Sequence, residues 1–368
     1  MRLFMNACSG GLGFRDVLLM KLAMLSRLFR ISILLIMLAL ASGGQRIIYR
    51  NSSQNIALTP LKLDPDRPNL RKVGQLEFLA AWELASNNQD FGGISALAVL
   101  PDGRFIGVSD AGTLVGFGLT GEDKTDRPFI APMPDAFAKG NNYEDRDSEG
   151  ITHDPATGRF WVSYEGKHAI RRFGRSFARR EALARPKAMQ LWGANSGAEA
   201  ILRMPDGRFL VFSEGHDLPD DSYEALYFSG DPVEAGSSSF AFGYKPPEGH
   251  KITDAALLPD GRILTLNREF SFPTAFSVAV AVFDPNEIAR GETIEPKVIA
   301  RLKSPLLVDN LEGLAVTQEN GRTIIWMISD NNFNIFQRTL LMKFALDETS
   351  IPDAKKPEAD NAPGFEAL

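Results

Sequence analysis

Residues 149–165 read EGITHDPATGRFWVSYE: an acid and a glycine, an apolar run, a turn around Gly158-Arg159, and a second apolar run that ends on an acid. Two strands joined by a short turn account for that pattern. The same phrase recurs as ISALAVLPDGRFIGVSD (94–110), EAILRMPDGRFLVFSE (199–214), DAALLPDGRILTLNRE (254–269) and EGLAVTQENGRTIIWMISD (312–330). The turn glycines Gly103, Gly158, Gly207, Gly261 and Gly321 are spaced 55, 49, 54 and 60 residues apart. Asp-Gly and Asn-Gly suit tight hairpins, because both central residues tolerate positive φ.

Each hairpin is followed by further strand-like pieces. They are HAIRRFG and AMQLWGA in the second repeat, EALYFSG and SFAFGY in the third, and FSVAVAVFD and KVIARLK in the fourth. Four antiparallel strands at a period near 50 residues predict an all-β fold, a β-propeller. The fifth repeat supplies one further strand, TLLMKFAL (339–346), and LEFLAAWEL (76–84) stands just before the first repeat. The N-terminal strand would join the last blade and close the ring, leaving no free edge. Five blades result by repeat count. A sixth is open if Ile56–Leu63 and the longer stretches between repeats build one.

The expected organisation is a signal peptide over 1–41, an arm over 42–72, the propeller over 73–347 and a disordered tail over 348–368. Lys21, Arg27 and Arg30 precede the apolar run Ile31–Ala41, which ends in the small-x-small site Ala39-Leu40-Ala41. Such a run is short for a membrane span; an uncleaved inner-membrane anchor is the alternative. A periplasmic or secreted location follows. The formal charge is −6, and removing residues 1–41 leaves 35 basic against 45 acidic residues. That balance argues against nucleic acid as a partner; a monomer acting on a small, anionic molecule is the expectation. The one cysteine, Cys8, would leave with the signal, so the domain would hold together without disulfides.

In a hairpin, the start of the first strand and the end of the second share one end. The first-strand positions are Glu149, Glu199, Asp254 and Glu312, with Ser95 in the first repeat; the second-strand positions are Asp110, Glu165, Glu214, Glu269 and Asp330. A propeller brings equivalent positions to one depth around its axis, so the acids should gather at the channel mouth. Unit charges 4 Å apart repel by about 4 kcal/mol at an effective dielectric near 20. Gathered carboxylates therefore stay solvated, share protons or bind a cation. An all-oxygen ligand set suits Ca²⁺ or another hard divalent ion. Glu149, Glu199, Asp254, Glu312 and Asp110 are the candidate metal ligands, and Glu165, Glu214, Asp330 and His216 the candidate catalytic groups. Arg268, Arg338, Arg146, Asn331 and Asn332 are candidates for binding an anionic substrate. His153, inside a strand, reads as a packed residue. There is no G-x-S-x-G elbow, P-loop, H-E-x-x-H or cysteine metal spacing, so hydrolysis would rest on metal-activated water or carboxylate acid/base chemistry.

The pieces GGISALAVLPDGRFIGVSDAG (92–112), DSEGITHDPATGRFWVSYEG (147–166), VDNLEGLAV (308–316), MISDNNF (327–333) and QRTLLMKFAL (337–346) resemble the phytase-like family, "esterase-like activity of phytase", of exported bacterial proteins. The resemblance runs from about Gly74 to Leu346. It implies an acid-rich β-propeller with a phosphoester-hydrolase or esterase role, its acidic pattern falling on Asp110, Glu149, Glu165, Glu214, Glu312 and Asp330. The acid-Gly strand starts are also similar to those of calcium-binding lactonase propellers. A metal-dependent phosphoester hydrolase is the leading expectation. A lactonase or carboxylesterase, and a non-catalytic ligand- or partner-binding propeller, are the alternatives.

Overall fold

The structure, a computed structural model, describes residues 53–121, 123–134, 142–193, 196–272 and 275–348. The expected signal peptide and all of the expected tail except Glu348 lie outside the described residues. Among the described residues no helix is long and apolar enough to cross a membrane.

The chain begins with β1 (Ala57–Leu61), β2 (Lys72–Val73) and β3 (Leu76–Ala85). The first blade is β4 (Ile94–Val99), β5 (Phe105–Ser109), β6 (Thr113–Thr120) and β7 (Lys124–Pro132), and the second is β8 (Ser148–Asp154), β9 (Arg159–Tyr164), β10 (Ala169–Phe173) and β11 (Arg180–Ala184). The third comprises β12 (Ala198–Arg203), β13 (Phe209–Asp217), β14 (Tyr223–Phe228) and β15 (Ser239–Tyr244). The fourth comprises β16 (Lys251–Leu257), β17 (Ile263–Ser271), β18 (Ala275–Phe283) and β20 (Lys297–Lys303). Between β18 and β20, the short β19 (Thr293–Ile294) adds in parallel to the edge of the third blade. The fifth blade is β21 (Leu311–Glu319), β22 (Arg322–Ser329) and β23 (Thr339–Leu346), completed by β3.

This is a five-bladed β-propeller closed as the repeat count predicts. Strand β3 pairs antiparallel with β23 from Thr339↔Leu84 to Leu346↔Leu76. The alternating run at 56–63 does not start a sixth blade: its β1 pairs with the outer edge of β3. Part of the expected arm is therefore propeller sheet. One strand assignment shifts, since the outer strand of the second blade is Arg180–Ala184, while AMQLWGA holds a single 3₁₀ turn at Met189–Leu191. Its apolar side chains Met189 and Trp192 are nonetheless buried, which is what made the stretch look strand-like.

The middle strands are covered on both faces, so they read as nearly unbroken apolar runs. Their side chains form five apolar clusters, one in each interface between neighbouring blades. At the closing interface, Trp326 of β22 stacks on Trp82 of β3 at 6.5 Å and meets the edge of Phe105 of β5 at 4.8 Å. The core thus locks the closing strand to the first blade through side chains as well as backbone.

In four of the five blades the turns between first and second strands use two solutions. In the first, third and fourth blades the glycine alone has positive φ (Gly103 80°, Gly207 90°, Gly261 91°). The preceding Asp102, Asp206 and Asp260 accept from the backbone N–H of Arg104, Arg208 and Arg262 and pair with their Nε atoms at 2.7, 2.5 and 2.8 Å. Only the fifth blade uses the two-residue turn with both centres positive, Asn320 at 51° and Gly321 at 76°, closed by the pair Glu319↔Arg322.

Candidate metal centre

Each innermost strand carries a β-bulge at the same level. Ser95, Glu149, Glu199, Thr253 and Glu312 are the residues passed over in pairing with the next strand. A bulge re-aims its side chain out of the regular alternation. A second set lies just beyond the ladder on the neighbouring strand. The amides of Asp110, Glu165, Glu214 and Asp330 donate to the carbonyls of Gly93, Asp147, Gly197 and Asn310 at 2.9–3.1 Å. In the fourth blade the corresponding pair is Lys251↔Arg268.

The fourth blade thus departs from the expected rings by one residue at each position. Thr253, not Asp254, occupies the bulge, and Arg268, not Glu269, occupies the second position. Asp254 is a buried structural acid: its Oδ1 accepts from the Ala255 amide at 2.8 Å and its Oδ2 from the Leu314 amide at 2.7 Å, stitching the fourth blade to the fifth. Thr253 Oγ1 is also buried and reaches the carbonyls of Leu266 and Leu311. Counting would have found the second position, because Asp110, Glu165, Glu214 and Arg268 all stand seven residues after their turn glycine.

What converges is an acidic mouth with one basic sector. Oxygens of Asp147, Glu149 and Glu165 lie within 4.8 Å of one another, as do those of Glu165, Glu199 and Glu214. Glu165 belongs to both groups, and its Oε1 also accepts from the Gly197 amide at 3.1 Å. Asp147 was not anticipated as a ligand. Its signal was its place directly before the strand, opposite Glu165. Across the mouth, Arg268 donates to Asn310 Oδ1 at 2.5 Å and Glu214 Oε1 at 3.2 Å and stands 3.7 Å from Glu312 Oε1. Lys251 Nζ lies 3.5 Å from Glu214 Oε2.

Burial drives protonation upward at Asp110, Asp147, Glu149, Glu165, Glu199, Glu312 and Asp330, and repulsion from neighbouring acids adds to it. Burial lifts Glu165 to about 7, with Asp147 and Glu214 close by and the Gly197 amide opposing. Glu312 rises to about 7 by burial, against the pull of Arg268. Asp110 rises to about 6 by burial and by Asp147. Glu149, Glu199 and Asp330 are raised well above the carboxylate range, first by burial and then by neighbouring acids. Burial works against the charge on Arg268, but Glu312, Glu214 and Glu199 outweigh it and hold the guanidinium protonated.

The remaining predicted residues separate into scaffold and rim. Asn331 Oδ1 accepts from the amides of Gly93 and Phe333, and the Asn332 amide donates to Asp330 Oδ1 at 2.6 Å, so both shape the loop that carries Asp330. Arg338 pairs with Asp309 at 3.5 Å. The Arg146 amide closes the 3₁₀ turn 143–145 that sets Tyr143 over the mouth, where the Tyr143 hydroxyl reaches Asp110 Oδ2 at 3.3 Å. His216 is half-buried, its amide donating to Ser213 Oγ. His153 stacks on Phe160 at 4.4 Å, the packed residue expected. Beside Arg268 a cleft of about 880 Å³ opens between the third and fourth blades, lined by Glu214, Lys245, Lys251, Glu269 and Phe270 among others.

Fold and site together define a five-bladed propeller with an acidic, partly arginine-countered channel mouth. Residues 89–333 match the profile "Phytase-like: Esterase-like activity of phytase", and the chain belongs to that family. Among curated proteins none matches. Similar solved structures include the β-propeller domain of Cps50 (Swd1) from Myceliophteria thermophila, at 11% identity and TM-score 0.33. That match covers 65% of either chain, just under two thirds of its length. A protein from Lactobacillus plantarum matches at 11% identity and TM-score 0.35 over 80% of this chain and 83% of that one. The α-L-arabinanase of Cellvibrio cellulosa, complexed with arabinohexaose, matches at 13% identity and TM-score 0.41 over 68% and 92%. The five-bladed ring rests on the strand pairing of this chain itself.

Proposed function

We infer that the channel mouth binds a divalent cation, Ca²⁺ suiting it best, and that the protein is an exported metal-dependent hydrolase of an anionic ester, a phosphoester foremost. The observation that carries this reading is the pair of three-carboxylate groups sharing Glu165. Two oxygens on one Ca²⁺, each 2.3–2.6 Å from the ion, are at most about 5 Å apart, so either group matches a single ion's span. Buried acids this close need protons or a cation, and a cation releases the protons. A bound cation would supply Lewis acidity and an acidified water. Of the residues present, Asp147, Glu149, Glu165, Glu199 and Glu214 would hold it. Across the mouth, Glu312, raised to about 7, is the carboxylate to take a proton and Asp330, held protonated by burial, the one to give it. Arg268 with Lys251 forms the pole that meets an anionic group.

Metal content of the purified protein, followed by hydrolysis of nitrophenyl phosphates, phytate and lactones with and without chelator, tests this reading. Stoichiometric Ca²⁺ and chelator-sensitive phosphatase activity support it; lactone turnover alone would move the protein to the lactonase reading. A non-catalytic ligand-binding propeller is the second reading, and one observation favours it. Arg268, Asn310, Glu312 and Glu214 are already bonded or paired in one cluster. Intact metal binding with no turnover on any ester class would establish it.

A further inference from the structure

The loops around the acidic mouth carry bare apolar side chains. Phe272 is 91% exposed, Ile335 88%, Leu191 74%, Phe270 67%, Phe336 65% and Tyr143 51%. They come from separate places in the chain: the end of β17 and the turn after it, the loop after β22, and the approaches to β12 and β8. Each connection is tied to the mouth. Phe270 follows Arg268 in the cleft, Tyr143 bonds Asp110, and Gln190, beside Leu191, donates to the carbonyl of His168 just after Glu165. The Phe333 ring of the Ile335 loop packs at Gly93. Of the large apolar side chains exposed among the described residues, only Leu183, on the outer strand β11, lies away from these loops.

We propose that this end of the propeller docks on a lipid bilayer, the apolar loop tips entering its interface around the acidic mouth. Exposed apolar surface gathered on one face marks an interaction site. These tips ring an opening instead of forming one continuous patch, so a fluid, laterally uniform surface can meet them all at once. Where the chain enters the domain agrees. The Ser53 carbonyl accepts from Asn88 Nδ2 at 2.9 Å, and Asn88 lies in the connection from β3 to β4, at the same end as the mouth. Upstream, the apolar run Ile31–Ala41 is separated from Ser53 by residues 42–52, which span at most about 40 Å. Kept as an anchor, that run would tether the domain through the point where the chain enters it. The formal charge of −6 gives no attraction to anionic headgroups, so the partner is a zwitterionic surface. Burying one such side chain shifts partitioning by roughly 10- to 100-fold.

The test uses the full chain with Cys8→Ser, carrying Phe272→Cys, Ile335→Cys or Asp206→Cys and a polarity-sensitive fluorophore on the new thiol. Asp206 sits in an exposed turn at the opposite end. With phosphatidylcholine vesicles, the first two labels should shift to the blue and be quenched by brominated acyl chains, and the Asp206→Cys label should do neither. Salt should leave the shift unchanged. Absence of a shift at both rim positions overturns the proposal, as does an equal shift at all three, which would report tethering through the upstream segment alone. The outcome is independent of the hydrolytic reading, since chelator should abolish turnover and leave the rim labels' response intact.

Discussion

The two ends of the propeller are built from the same five hairpins and obey opposite rules. At the end with the Asp-Gly-Arg turns, the first, third and fourth blades neutralise the turn charge within the turn itself, as Asp102–Arg104, Asp206–Arg208 and Asp260–Arg262. At the other end, five bulges turn side chains out of the ladder and acids from different blades meet each other. Local pairing leaves those three turns electrically self-contained. Convergence makes the second end costly to fold and ready to take a ligand, the usual relation between strained, polar sites and function.

The sharpest way to break this contrast is Glu165→Gln, which removes the carboxylate common to both three-acid groups. Bound metal should be lost and ester hydrolysis should fall by roughly 10²–10⁴-fold, as read by elemental analysis and initial rates. The next test compares glycines. Gly93 has φ 60°, and a methyl group there would lie 2.2 Å from Asp110 Oδ1 and 2.4 Å from the Phe333 ring; Gly103 has φ 80° and open space around it. Gly103→Ala should lose about 1–2 kcal/mol for the left-handed backbone alone. Gly93→Ala should lose about 1–3 kcal/mol more through overpacking, both measured by denaturant titration.

The pH dependence follows from the raised acids. Their folded-state values lie above those of the unfolded chain, so in this interval the native state holds more protons. Metal-free protein should therefore lose stability as pH rises from about 4.5 through about 6 to 7, the range set by Asp110, Glu165 and Glu312. Thermal melts at pH 5 and pH 8 in chelator should show the lower Tm at pH 8, and saturating Ca²⁺ should reverse the order. Arg268→Gln removes the basic sector. It should weaken an anionic substrate by about 1.5–3 kcal/mol, seen as a raised KM, while Ca²⁺ affinity rises. The smallest effect belongs to the other end: Asp206→Ala should cost under about 1 kcal/mol and leave metal content unchanged.

Blade number, ring closure and the level of the acids were legible in the sequence because each rests on a repeated local signal, a turn glycine between two apolar runs. The fourth blade was misread by one residue because a bulge leaves no composition mark, and Asp254 and Glu269 offered the expected residue type beside the true positions. Asp147 was overlooked for a related reason. It lies outside the strand, and only the bond from the Glu165 amide to its carbonyl places it in the mouth. The roles of Asn331, Asn332 and Arg338 in shaping the loop after β22 were out of reach, since they depend on contacts with Gly93, Gln337 and Asp309 from distant or folded-back segments.

The pairing of β3 with β23 also sets an order of events in time. Leu76–Ala85 leaves the ribosome early and must wait for Thr339–Leu346, the last strand of the described chain. Until then the waiting strand and the unfinished fifth blade both present open edges, the condition under which β-rich chains pair with one another. The ring therefore closes by its longest-range contact, which folding reaches late. A chain cut before Thr339 would be a sheet-forming fragment with no clasp, not a smaller propeller.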